Sequence, residues 1–98
     1  MIINYKHNLN KEEAYTRLDS FLTELKDKYQ DHISNLNQNW VNDDQMDFGV
    51  NIMGFNLNGS VYLKEHEVVL DGKLPFLARA FSSKIEEKIK ENLENVLS

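Results

Sequence analysis

His7, His32 and His66 are the side chains best suited to proton transfer or metal ligation near neutral pH, and their spacing assembles neither. They fall in three separate stretches of chain, no two stand four apart on a helix face, and no carboxylate completes a metal-binding set. His66 between Glu65 and Glu67 is the most ligand-like of them, but neighbours along a strand point to opposite faces, so the trio reads as a turn. Asp43, Asp44 and Asp47 lack the glycine and the terminal glutamate that a calcium loop needs at fixed positions. Gly49, Gly54, Gly59 and Gly72 stand singly, as turns, bulges or close strand packing require, and no phosphate loop or serine elbow is present. With no cysteine, thiolate catalysis, zinc-thiolate sites and disulfides are ruled out together. The expectation is therefore no metal, no cofactor, no catalytic residue and no enzyme.

Binding chemistry is better represented. The run Lys73-Leu74-Pro75-Phe76-Leu77-Ala78-Arg79-Ala80-Phe81-Ser82-Ser83-Lys84 carries three cations, and residues 72–85 contain neither Asp nor Glu, in a chain with sixteen acidic residues. Aromatic and aliphatic groups interleaved with Arg and Lys suit the boundary between water and an anionic, lipid-covered surface. Lys73, Leu74, Phe76, Leu77, Arg79, Phe81 and Lys84 are the candidates for such a surface. The competing reading is that Leu74, Phe76, Leu77 and Phe81 staple the last strand to the last helix and fill the core, since a chain this short needs its large apolar residues. Trp40 could stack on a ligand or simply pack at the core's edge. Tyr62, with Val69 across the strands, would make a small aromatic patch usable for a homodimer, as would an exposed strand edge.

The elements that must position these residues follow from apolar periodicity. Ile3 and Tyr5 alternate with Asn4 and Lys6 in a short first strand. Asn10 stands three before Glu13, a reciprocal capping arrangement, so a helix starts at Lys11 with Ala14, Leu18, Phe21, Leu22, Leu25 and Tyr29 striping one face. It should fray between Asp31 and Leu36, where Ser34, Asn35 and Asn37 prefer to bond their own backbone, and a connector follows. The period then changes to two. Strands are expected at Asn39 to Val41, from Met46 to Ile52, from Phe55 to Leu63 and from Val68 to Leu74. They are separated by Asn42-Asp43-Asp44, by Met53-Gly54 and by Lys64 to Glu67. Pro75 opens a short helical lead-in, and Ser83 three before Glu86 gives a second capping spacing for a final helix striped by Ile85, Ile89, Leu93 and Val96 or Leu97. Every strand has one apolar and one polar face. The order β-α-β-β-β-β-α thus predicts an α+β two-layer sandwich, an antiparallel sheet with both helices on one face.

Ninety-eight residues make one domain, 1–98. The net charge of −5 disfavours nucleic acid as a partner. No apolar run approaches the roughly 20 residues of a membrane span, and Met1 to His7 breaks too soon for a signal peptide, so no transmembrane segment and a cytoplasmic location are expected. The twelve asparagines are irregularly spaced and read as loop and sheet surface.

Several of these residues together resemble a known family. His7 followed by Leu9 and Glu12-Glu13-Ala14, a mid-chain Trp40, the Gly59 to Leu63 strand, Val68 to Leu70, Leu74-Pro75-Phe76-Leu77 with Phe81, and Ile85-Glu86 resemble the small bacterial polyhydroxyalkanoic acid system, or granule-region, proteins over about the full length. The resemblance implies association with intracellular polyester storage, at the granule surface, and brings no catalytic residue with it. Two functions from different classes are compatible with it. One is an accessory protein whose 73–84 run touches the polymer or its lipid coat. The other is a small module holding a fatty acyl or hydroxyacyl ligand between a curved sheet and the last helix, as helix-grip folds do, with Trp40, Phe48 and Phe55 as lining candidates.

Overall fold

The computed structural model describes residues 1–28, 33–52 and 54–98. The predictions for Tyr29, Asp31, His32 and Met53 lie outside these residues. The chain runs β1 (Ile2–Lys6), α1 (Lys11–Lys28), β2 (Ile33–Asn42), β3 (Gln45–Ile52), β4 (Phe55–Lys64), β5 (Glu67–Lys73), a 3-10 helix (Phe76–Phe81) and α2 (Ser82–Leu97). The strands form one antiparallel sheet in the order β1-β5-β4-β3-β2, so the fold is α+β with the predicted element order.

Alternation sets the register. Trp40 pairs with Met46, Met46 with Val61, Val61 with Leu70 and Leu70 with Ile3, which lays one apolar row across all five strands. A slip of one residue would send every member of that row to the solvent face. The row lies under the helices: Ile3, Met46, Val61, Leu63, Val68 and Leu70 form one buried cluster with Ala14 and Leu18 of α1 and Leu93 and Leu97 of α2. Both helices therefore cover the same face.

Helix α1 starts where the capping spacing places it, the Glu13 N–H donating to Asn10 Oδ1 at 2.8 Å. Its first turn carries Glu12 and Glu13, as the positive end of the helix dipole favours. The segment after it differs from the sequence expectation: the strand predicted at Asn39 to Val41 runs from Ile33 to Asn42. The local preference of its asparagines survives inside the strand, as a bulge. The register slips between Ser34 and Asn37, Asn35 has φ 54°, and Asn37 Nδ2 donates to the Asn35 carbonyl at 3.3 Å. Pairing with β3 supplies partners for the backbone on both sides of that irregularity, and so outweighs the tendency to coil.

The second predicted cap is absent. α2 has Phe81 at its N-cap with no side-chain bond, and the Ser82 N–H donates to the Arg79 carbonyl. The 3-10 helix runs directly into α2, so its carbonyls replace a Ser83 cap. Elsewhere Arg17, on α1, donates from its guanidinium to the Ser98 carbonyl at 3.1 Å, at the C-terminal end of α2. Among the described residues no helix is long and apolar enough to cross a membrane.

Candidate functional site

The 73–84 run sits at one end of the sheet, where β5 stops and β4 begins. Pro75 has no N–H with which to extend the ladder, and its φ of −59° with ψ 155° turns the chain out of the sheet. The Ala78 N–H then donates to the Pro75 carbonyl at 3.0 Å, which closes the first 3-10 turn. With three residues per turn, one residue in three faces the protein. That residue is Ala78, which is wholly buried. Phe81, one turn on, lies against Phe55 of β4 with ring centroids 6.3 Å apart. Phe76 and Leu77 are turned outward.

The consequence is an apolar tip in water. Phe76 and Leu77 are 80 and 75% exposed, so the core-filling reading of these two side chains is overturned, whereas Phe81, 54% exposed, divides its ring between water and Phe55. Leu74 is half-buried. Arg79 and Lys84 are exposed beside the tip. Lys73 is exposed too, but alternation along β5, with Gly72 buried, puts it on the sheet face away from the helices. The cations thus flank the tip from two sides. We call this arrangement the hook.

The ligand-pocket candidates do not converge. Trp40 stacks on Tyr15 with centroids 4.1 Å apart, and its Nε1 donates to Asp19 Oδ1 at 3.2 Å. The same oxygen accepts from Gln38 Nε2 at 2.7 Å, so Asp19 clamps α1 onto β2. Phe48 packs on the core cluster, as Trp40 does, while Phe55 lies against Phe81 near the hook. Two open depressions of about 270 and 280 Å³ lie along α1 and are lined by other residues, among them Thr16, Arg17 and Phe21.

Folding does bring two histidines together, a juxtaposition that residue spacing gave no sign of. At the opposite end of the sheet the His7 N–H donates to the His66 carbonyl at 2.9 Å, and His66 Nδ1 lies 2.9 Å from the Leu9 carbonyl. His7 Nδ1 accepts the Leu9 N–H at 3.1 Å, while its Nε2 is buried without a hydrogen-bond partner. Burial, with His66 nearby, pushes the His7 pKa below its ordinary value. Asp44 pairs with Lys11 at 3.1 Å, and Asp47, on the outer sheet face, accepts Ser60 Oγ at 2.6 Å and Gln45 Nε2 at 3.1 Å. Among the described residues no three histidine or carboxylate side chains are grouped to hold a metal ion. Tyr62 and Val69 are register partners on the outer face, as expected for the aromatic patch.

The family model described as "Putative polyhydroxyalkanoic acid system protein (PHA_gran_rgn)" matches residues 1–97. Neither the curated proteins nor the solved structures contain a match to the chain.

Proposed function

The chain belongs to the polyhydroxyalkanoic acid system family, and from that premise we propose a non-enzymatic accessory protein that attaches, in the cytoplasm, to a polyester granule or another hydrophobic surface through its hook. The observation that carries this reading is the joint exposure of Phe76, Leu77 and Phe81 on consecutive turns. Single apolar residues on a surface are ordinary; a cluster rimmed by cations marks an interaction site. Burial stabilises by roughly 1.5–3 kcal/mol for each such side chain when complete, and this stabilisation is available to the hook only when something covers it. The anchor for it is the buried Ala78, which ties the exposed residues to the fold.

The alternative, an acyl or hydroxyacyl ligand held between sheet and α2, has less support, because Trp40 and Phe48 are occupied in packing.

Co-sedimentation with polyhydroxyalkanoate particles, bare and phospholipid-coated, with polar beads as control, tests the proposal. Retention on particles but not beads, weakened by Phe76→Ser and by Phe81→Ser, is the expected result. Absence from both kinds of particle would remove the surface role and return attention to a small ligand or a protein partner.

A further inference from the structure

We infer that the surface the hook recognises is an anionic phospholipid layer rather than bare polyester. This inference rests on the surface-attachment reading above and narrows it.

Charge distribution is the first argument. Every Asp and Glu of the chain lies outside residues 72–85, while Lys73, Arg79 and Lys84 lie inside and are exposed. An uncharged polyester would gain nothing from these cations, whose hydration must be disturbed on approach. An anionic headgroup layer attracts each of them.

The first turn of α2 is the second argument. The helix dipole favours acidic residues there, and α1 has two, but α2 has none and carries Lys84 instead. A local stabilisation is thus forgone next to the apolar tip. Contact with an anionic surface accounts for both features.

The net charge of −5 opposes such contact. Distance removes the acids at the far end of the sheet from the balance. The acidic turns at Asp43-Asp44 and at Glu65 join strands at the end of the sheet away from the hook. Strand β4 spans ten residues between the two ends, or roughly 30 Å at the usual rise per residue. The screening length at physiological salt is about 8 Å, so those carboxylates scarcely feel a surface touched by the hook. Asp71, Glu86 and Glu87, which flank the acid-free window, and Asp27, toward the end of α1 that leads to the hook's end of the sheet, set the limit of approach. Phe76 and Leu77 enter the interfacial region, Arg79 and Lys84 meet phosphates beside them, and the strands stand away from the layer.

Vesicle co-sedimentation of the whole protein tests this, using vesicles of phosphatidylcholine alone and vesicles with about one-third phosphatidylglycerol. Binding is expected only to the anionic vesicles and should weaken as salt rises from about 0.05 to 0.5 M. Arg79→Gln with Lys84→Gln should weaken it roughly thirtyfold, since each cation near such a surface contributes about a fivefold factor. A thermal melt of the double variant establishes that it is folded. Salt-insensitive binding to bare polyester with no preference for anionic vesicles would overturn the inference and leave the surface role standing. Binding to neither vesicles nor polyester would overturn both.

Discussion

Folding changes the chemistry of His7. It is 8% exposed, accepts the Leu9 N–H through Nδ1, and has no partner for Nε2. Protonation would place a donor against a donor at Nδ1 and a charge in a buried site. Its pKa is lowered from 6.5 by burial first and by His66 second, so the unfolded chain binds more protons in the window just below pH 6.5. Stability contributed by neutral His7 is therefore complete above that window and is lost as pH falls through it toward the lowered value. Urea midpoints should drop between about pH 7.5 and 5.5, and His7→Asn should flatten the drop. A wild-type curve as flat as the variant's would refute this. Asp19 makes a second prediction at this scale. Its Oδ1 satisfies both Gln38 and Trp40, so Asp19→Ala strands two donors and should cost about 1–3 kcal/mol, with a change in Trp40 emission. Unchanged emission and stability would mean that the clamp is idle.

Among the elements, β4 and β5 meet without side chains between them at Gly59 and Gly72, which are register partners. A Cβ on Gly59 would run into the Asp71 carbonyl oxygen and stand 2.8 Å from the Gly72 Cα, both backbone atoms that cannot swing aside. Gly59→Ala should therefore destabilise by about 1–3 kcal/mol, read as a lower denaturation midpoint, whereas a neutral result would show that the strands can part there freely. Much of the element plan was legible because its signals are local: alternation in β3 to β5, the apolar stripe of α1, and Asn10 before Glu13. β2 was misread for a reason of the opposite kind. Its asparagines carry a real local preference, visible as the Asn35 bulge, and only the neighbouring strand turns that preference into a detail of a longer element. The missing Ser83 cap has the same origin, since the carbonyls that replace it belong to the preceding 3-10 turn.

Across the whole molecule, the outer sheet face meets water with polar side chains bonded to one another. On the outer sheet face Asp47 takes Ser60 and Gln45, which holds its carboxyl below the usual range, and Asn51 Nδ2 donates to Asn56 Oδ1 at 3.0 Å. The hook has no such closure. Its composition was legible in the sequence, but the direction of its side chains was not. Six residues after Pro75 could turn either way, and only a three-residue period with Ala78 inward leaves Phe76 and Leu77 outside. That geometry separates residues two places apart or fewer by their effect on folding. Phe76→Ser and Leu77→Ser, at positions already in water, should each shift stability by no more than about 0.5 kcal/mol. Ala78→Leu, at a site with no room, should cost about 1–3 kcal/mol. Chemical denaturation of the three variants decides the matter. If the two serine variants lose cooperative unfolding while Ala78→Leu is tolerated, the 3-10 helix is turned the other way in solution, and the hook's apolar residues belong to the core.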